Sequence, residues 1–126
     1  MIGNTKIIEP GTYKTTGLEY NGDKEEGIYA VQSQFEFMEH GFLQGTISMT
    51  HPTGDEGEHE LKCIGNWSES GEIEFHVNYL GVWYFYHGYF QGGHFIGNYW
   101  EAKFAVKEDA PEHRRGRFSH VFYKQQ

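Results

Sequence analysis

The sequence lacks the features of a disulfide scaffold, a membrane-spanning helix or an exported chain. Cys63 is the single cysteine, so an internal disulfide and a cysteine-rich zinc site are both excluded. No apolar run approaches the ~18 residues of a membrane helix. The first residues, Met1–Lys6, have no apolar core typical of a signal peptide. We therefore expect a cytoplasmic protein that does not interact with membranes.

Basic residues are also scarce. Ten Lys and Arg stand against 18 Asp and Glu, which gives a formal net charge of −8. A surface this acidic repels the phosphate backbone, so no nucleic acid polymer is expected as a partner. Small molecules and other proteins remain as partners.

The motifs of common catalytic and metal sites are missing. The eight histidines show no HExxH or other zinc spacing, and no serine lies in a GxSxG motif. Gly92-Gly93 joins two predicted strands and does not lead into a helix, so it is not a phosphate-binding loop. The sequence therefore predicts no cofactor and no metal.

Aromatic residues and glycines are abundant, and apolar residues alternate with polar ones. Aromatics make up 17% of the 126 residues, and there are 17 glycines. Alternation with period two predicts half-buried β-strands, and the intervening glycines and prolines predict turns. The predicted strands are Gly11–Tyr20, Gly27–Met38, Gly41–Thr50, Glu58–Trp67, Glu72–Tyr79, Val82–Phe90, His94–Phe104 and Arg115–Lys124.

Short connections between these strands predict one all-β domain over residues 1–126. Parallel strands need long crossovers, so short links favour an antiparallel up-and-down meander. Closing that meander removes its exposed edges, which predicts a β-barrel of about eight strands. The segment Lys103–Glu112 is the best candidate for a helix, but Pro111 and the surrounding charges favour a loop.

About eight antiparallel strands and the Gly-x-Trp motif at Gly65-Asn66-Trp67 resemble the calycins, especially lipocalin-like and avidin-like barrels. The resemblance is mainly architectural, and in those families the motif belongs to the first strand. It implies a ligand cavity at one open end of the barrel. It does not indicate which ligand is bound.

Alternation along the strands sorts side chains into an inner and an outer set. Strand glycines favour inward positions where a small barrel bends, and this rule places four tyrosines inside. Two interpretations remain open: the tyrosines line a cavity, or they lie at the barrel rims with their hydroxyls in water. The candidate ligand-binding residues are Trp67, Phe75, Tyr79, Tyr84, Tyr86, Tyr99, Arg115 and Arg117.

Ionisable groups suggest two further hypotheses. The three arginines, Arg114, Arg115 and Arg117, lie in one short segment that leads into the last predicted strand. There they would either bind an anionic ligand or form ion pairs with neighbouring acidic residues. Glu101 and His120 share the inward parity, so they are the candidate catalytic acid and base if the protein is an enzyme.

The outer face of the last strands is unusually apolar. An exposed patch of this kind predicts a homo-oligomer, unless the parity of those strands is reversed. The residues expected at this interface are Trp83, Phe85, Ile96, Trp100 and Phe104.

Three functions follow from these patterns. The first is a small-molecule-binding barrel for a partly aromatic or apolar ligand, with an anionic group as one alternative. The second is a cofactor-free isomerase, cyclase or lyase in the same cavity. The third is a protein-interaction module that uses the outer aromatic sheet.

Overall fold

A computed structural model describes residues 8–22, 27–50 and 58–124. Eight antiparallel strands make up most of the described chain, and five of their sixteen boundaries differ from the predicted ones. The strands are β1 (Gly11–Asn21), β2 (Gly27–Phe37), β3 (Phe42–Thr50), β4 (Glu58–Trp67), β5 (Glu72–Tyr79), β6 (Val82–Gln91), β7 (His94–Glu101) and β8 (Arg115–Lys124).

Each strand pairs with its neighbours in chain order, and β1 pairs with β8 to close the barrel. The closing ladder runs from Tyr13 opposite Lys124 to Asn21 opposite Gly116. This arrangement confirms the predicted up-and-down barrel. None of the helices in the described parts of the chain has the length and apolarity to cross a membrane.

The segment between β7 and β8 is a loop rather than a continuous helix. It contains two single turns of 3-10 helix, Lys107–Asp109 and Glu112–Arg114. Strand β7 ends at Glu101, three residues before the predicted end, because the chain turns at Ala102 and Lys103. Phe104 therefore belongs to this loop and not to the strand.

The interior of the barrel is packed with rings at its centre. The inward parity predicted from the glycines is confirmed, since Ile47, Cys63, Phe75 and Phe95 are all buried. Phe95 lies 4.6 Å from Phe118, centroid to centroid. Phe35, in the same core, lies 5.3 Å from Phe75. The barrel is therefore a filled core over its middle and not a continuous hollow.

One end of the barrel is closed by side chains. Ile8 precedes β1 and is 1% exposed, in the same apolar cluster as Tyr13 and Phe37. The indole Nε1 of Trp67 donates to the carbonyl oxygens of Met38 at 2.9 Å and Phe42 at 2.8 Å. These bonds secure the connection between β2 and β3 across the closed end.

Candidate functional site

The other end of the barrel contains a cavity of about 190 Å³. It lies between the last residues of β1, β3, β5 and β7 and the first residues of β2 and β6. We call it the open-end cavity. Its lining residues are Glu19, Asn21, Tyr29, Met49, Val77, Tyr79, Tyr84, Tyr86, Tyr99 and His113.

Glu19 places a carboxylate on the wall of this cavity. Its side chain is only 3% exposed, although carboxylates are rarely buried without full pairing. The Tyr86 hydroxyl donates to Oε1 at 2.7 Å. Oε2 has no hydrogen-bond partner among the described residues. One buried acceptor of this carboxyl group is therefore unsatisfied, which normally costs free energy.

Burial controls the acidity of this pair. Desolvation raises the pKa of the Glu19 carboxyl from its usual 4.5 to about 7, while the hydrogen bond from Tyr86 opposes that rise. Burial and the neighbouring carboxylate raise the pKa of Tyr86 well above its usual value. Tyr86 therefore remains a hydrogen-bond donor, and Glu19 titrates near neutral pH.

Tyrosine rings form much of the remaining wall. Tyr86 stacks on Tyr99 at 5.1 Å between centroids, and Tyr84 meets Tyr99 edge to face at 6.0 Å. The Tyr99 hydroxyl donates to the Tyr20 carbonyl oxygen at 3.3 Å and to Asn21 Oδ1 at 3.2 Å. These bonds and stacks hold the rings in defined orientations.

Two of the four inward tyrosines form the cavity wall, and the other two lie nearer the rim of the barrel. Tyr86 and Tyr99 are buried at 3% and 6% exposure, so they belong to the cavity wall. Tyr79 and Tyr84 are half-buried, as expected for side chains nearer the mouth.

A charged cluster lies beside the mouth. Arg114 Nη1 donates to the Tyr84 hydroxyl at 3.3 Å, and its Nε lies 3.7 Å from Glu101 Oε1. Lys103 Nζ lies 3.4 Å from the other Glu101 oxygen. Glu101 is therefore flanked by two cations and orients Arg114 toward the rim.

The predicted ligand-binding residues separate into several groups. Tyr79, Tyr84, Tyr86 and Tyr99 line the open-end cavity together. Phe75 lies behind them in the core, where it stacks on Tyr86 at 4.9 Å. Trp67 belongs to the closed end, because it pairs with Ile73, six residues before Tyr79 on β5. That spacing corresponds to about 20 Å along a strand.

Arg115 and Arg117 lie on the outer side of β8, alternating with the buried residues Gly116 and Phe118. Arg115 donates to the carbonyl oxygens of Glu108 and Ala110, and the Arg117 guanidinium lies 4.7 Å from the centroid of the Tyr20 ring. Neither side chain is part of the cavity wall.

The structure does not bring the candidate catalytic residues Glu101 and His120 together. His120 pairs with Phe95, which lies six residues before Glu101 on β7, again about 20 Å along the strand. His120 is fully buried beside Phe95 and Phe118, and neither ring nitrogen has a hydrogen-bond partner among the described residues. Burial lowers the pKa of His120 to about 3, so the ring is neutral at physiological pH.

Sequence reasoning missed Glu19 and Tyr29 because it assigned no parity to β1 and β2. Gly17 supplies the signal: a Cβ there would contact the His120 ring, so Gly17 faces inward. Glu19 shares its parity, and Tyr29 pairs with Glu19 across the strands. The glycine rule used for the other strands would therefore have identified both residues.

A larger concavity of about 480 Å³ lies on the outer surface of the barrel. Most of its lining side chains are exposed, among them Gln34, Gln44, Lys62 and Trp83. None of its lining residues is a buried ionisable group in the described chain, apart from the Cys63 thiol, whose pKa burial raises to about 12. The smaller open-end cavity is therefore the better candidate site.

No group of three or more His, Cys, Asp or Glu residues in the described ranges is arranged to hold a metal ion. No protein-family model matches the chain, and no curated protein matches it.

Proposed function

We propose that the protein is a small-molecule-binding barrel, similar in architecture to calycins, that holds its ligand in the open-end cavity. The observation that carries the proposal is Glu19, a buried carboxylate on the cavity wall, one oxygen of which has no hydrogen-bond partner in the part of the chain that the structure describes. An unpaired buried acceptor among aromatic walls is typical of a site whose polar group is completed by a ligand.

The size of the cavity limits the ligand. A volume of about 190 Å³ corresponds to roughly six water molecules at ~30 Å³ each. It lies below the ~300–1,000 Å³ of sites for drug-sized molecules. A monocyclic compound fits this range, with its ring against the lining tyrosines other than Tyr86, because the Tyr86 ring is stacked between Phe75 and Tyr99. Each ring contact contributes roughly 0.5–1.5 kcal/mol beyond the area buried.

Ligand-observed NMR with a fragment library of neutral, cationic and anionic monocyclic compounds tests the proposal. We expect several fragments to bind, and the variant Met49→Trp to abolish binding because the indole fills the cavity from its wall. Thr50→Trp, on the exposed side of the same strand, is the matched control and should retain binding. A library without binders, or binders unaffected by Met49→Trp, would contradict the proposal.

A cofactor-free isomerase, cyclase or lyase is the second candidate, and Glu19 is the observation that favours it. A carboxyl group with a pKa of about 7 exchanges protons readily near neutral pH. In this role Glu19 replaces the Glu101–His120 pair expected from the sequence.

Incubating the bound fragments with protein in D₂O tests this candidate by NMR. An enzyme of this class should place deuterium on a ligand carbon or generate new resonances, and Glu19→Gln should stop both. If the ligand spectra do not change in the presence of the wild-type protein, the enzyme hypothesis is contradicted and only the ligand-binding function remains.

A further inference from the structure

The open-end cavity has an acceptor that needs a donor. Among the described residues, Oε2 of Glu19 is buried without a hydrogen-bond partner, while Oε1 accepts a hydrogen bond from Tyr86. An N–H group from a ligand would satisfy Oε2, and a positive charge on that group would strengthen the bond. A carboxylate or phosphate group on the ligand would instead be repelled by the ionised Glu19.

The aromatic wall favours the same kind of ligand. Five tyrosines line the cavity: Tyr29, Tyr79, Tyr84, Tyr86 and Tyr99. The face of an aromatic ring attracts a cation within about 6 Å of the ring centroid, and the attraction grows when water is excluded. Both faces of the Tyr86 ring are covered by Phe75 and Tyr99, but Tyr29 pairs with Glu19 across β1 and β2. An ammonium group beside Glu19 would therefore lie near the Tyr29 ring.

The nearest arginine of the rim is already engaged with other groups. Arg114 donates to Tyr84 and forms an ion pair with Glu101. Arg115 and Arg117, which suggested an anionic ligand, are directed to the outer side of β8. The charges of the described residues therefore favour a cation at Glu19.

We infer that the ligand is a small protonated primary amine with an apolar ring, whose ammonium group donates to Glu19 Oε2 while its ring packs against the tyrosines. This inference rests on the function proposed above and names the chemical class of the ligand. The negative net charge of the chain, −8, further favours the approach of a cation.

Three probes of nearly equal shape test the inference by isothermal titration calorimetry at pH 8. Benzylammonium, benzyl alcohol and benzoate differ mainly in charge. We expect benzylammonium to bind at least tenfold more tightly than benzyl alcohol and benzoate to bind least. Glu19→Gln should reduce the tenfold preference to less than threefold. Glu36→Gln, which changes an exposed carboxylate on the outer face of β2, should leave it unchanged.

A second measurement uses the wild-type protein and does not depend on the folding of a variant. Glu19 takes up a proton as the pH falls through about 7. The affinity for benzylammonium should therefore fall about a hundredfold between pH 8 and pH 5. Within the described ranges, the other ionisable groups at the cavity are the five lining tyrosines, His113, and Glu101, Lys103 and Arg114 at the rim. The variant His113→Gln removes the histidine of the cavity wall. Most of the fall in affinity for benzylammonium between pH 8 and pH 5 should remain in this variant.

The outcomes distinguish this inference from the proposed function. If benzyl alcohol or benzoate binds as tightly as benzylammonium, or if the affinity does not change with pH, the cationic ligand is ruled out. In that case, if Met49→Trp abolishes the binding of the probes, the open-end cavity is still supported as the binding site. If Met49→Trp leaves the binding of benzylammonium intact, the amine binds elsewhere and both claims are overturned.

Discussion

At the scale of single residues, two buried ionisable groups dominate, and they act on stability in opposite directions. Glu19 has its pKa raised by burial, and His120 has its pKa lowered by burial. The folded protein therefore holds a proton on Glu19 that the unfolded chain has released, and it lacks a proton that unfolded His120 accepts. The two effects offset each other where their pH windows overlap, between about 4.5 and 6.5.

The first prediction concerns Glu19→Gln. The stabilising contribution of neutral Glu19 is complete below pH 4.5 and is lost as the pH rises through about 7. That loss amounts to about 3 kcal/mol, and glutamine does not suffer it because it does not ionise. In urea denaturation, the free energy of unfolding of Glu19→Gln relative to wild type should rise by about 2–3 kcal/mol between pH 5 and pH 8. A difference independent of pH would show that Glu19 is solvated.

The second prediction concerns His120→Phe. Unfolded His120 binds a proton below about pH 6.5, whereas the folded protein resists it down to about pH 3. The wild type should therefore lose stability on acidification in a way that the variant does not. Relative to wild type, His120→Phe should gain about 3 kcal/mol between pH 7 and pH 4. Comparing the two pH values cancels the packing cost of the new ring, and parallel curves would contradict the burial of His120.

Residue identity alone predicted part of the site. The inward tyrosines Tyr79, Tyr84, Tyr86 and Tyr99 follow from alternation on strands whose glycines define the parity. Glu19 was missed because Gly17 was not used in the same way. The inward parity of Phe118 already implies that Arg115 and Arg117 point outward. Their prediction as ligand-binding residues rested instead on the clustering of arginines near the expected mouth of the barrel.

At the scale of secondary-structure elements, glycine decides where neighbouring strands approach each other. A Cβ at Gly65 on β4 would overlap the Glu74 carbonyl oxygen and would lie 2.6 Å from the Phe75 Cα on β5. Both contacts are with backbone atoms, which cannot move aside by changing a rotamer. The bend of β4 therefore requires a residue without a side chain.

The third prediction follows from this close approach. Gly65→Ala should lower the free energy of unfolding by about 1–3 kcal/mol, because the added methyl group forces the two strands apart. Gly92→Asn is a suitable control, since position 92 has a positive φ of 57°, which asparagine tolerates. Apart from its chain neighbours, no described residue has an atom within 4 Å of a Cβ at that position. Thermal unfolding of the two variants provides the comparison. Equal melting temperatures would contradict the role of Gly65.

The strands themselves were largely predictable because each carries its own alternation between turn signals. Strands β4, β5 and β8 begin and end where the sequence predicts. The end of β7 was not predictable, because Trp100 and Phe104 continue the aromatic pattern into the loop. The Trp100 indole Nε1, near the end of β7, donates to the Phe104 carbonyl oxygen in the loop at 3.1 Å.

At the scale of the whole molecule, closure of the barrel was predictable from the short links, but the extent of its cavity was not. How far rings fill a barrel depends on their packing across strands distant in sequence, such as Phe35 against Phe75 and Phe37 against Trp67. These contacts fill the centre and the closed end and confine the cavity to the opposite end.

The outer apolar surface has the predicted orientation but is interrupted. Trp83 and Ile96 are 55% and 56% exposed, whereas Phe85 and Trp100 are half-buried and meet edge to face. The His87–Asn98 pair separates Ile96 from the Phe85–Trp100 pair, and Trp83 lies on the Phe85 side of it along β6. The apolar surface is therefore divided into two smaller patches.

The fourth prediction is self-association through this surface, which we propose on the exposure of Trp83 and Ile96. Light scattering should give a mass of at least twice the 14.6 kDa of the chain, and Trp83→Glu should reduce it to the single-chain mass. Lys14→Glu, on the exposed face of β1, is the control for added charge. A wild-type mass of 14.6 kDa would remove the oligomer and, with it, this role for the outer sheet.

Ring-labelled tyrosine tests the central claim, a ligand cavity at the open end, most directly. Five of the nine tyrosines line the cavity, while Tyr13, Tyr20, Tyr89 and Tyr123 lie elsewhere. In an NMR titration of ¹³C-tyrosine-labelled protein with the tightest-binding fragment, the resonances of the five lining tyrosines should shift and those of the other four should not. Shifts confined to the four tyrosines outside the cavity would contradict the claim.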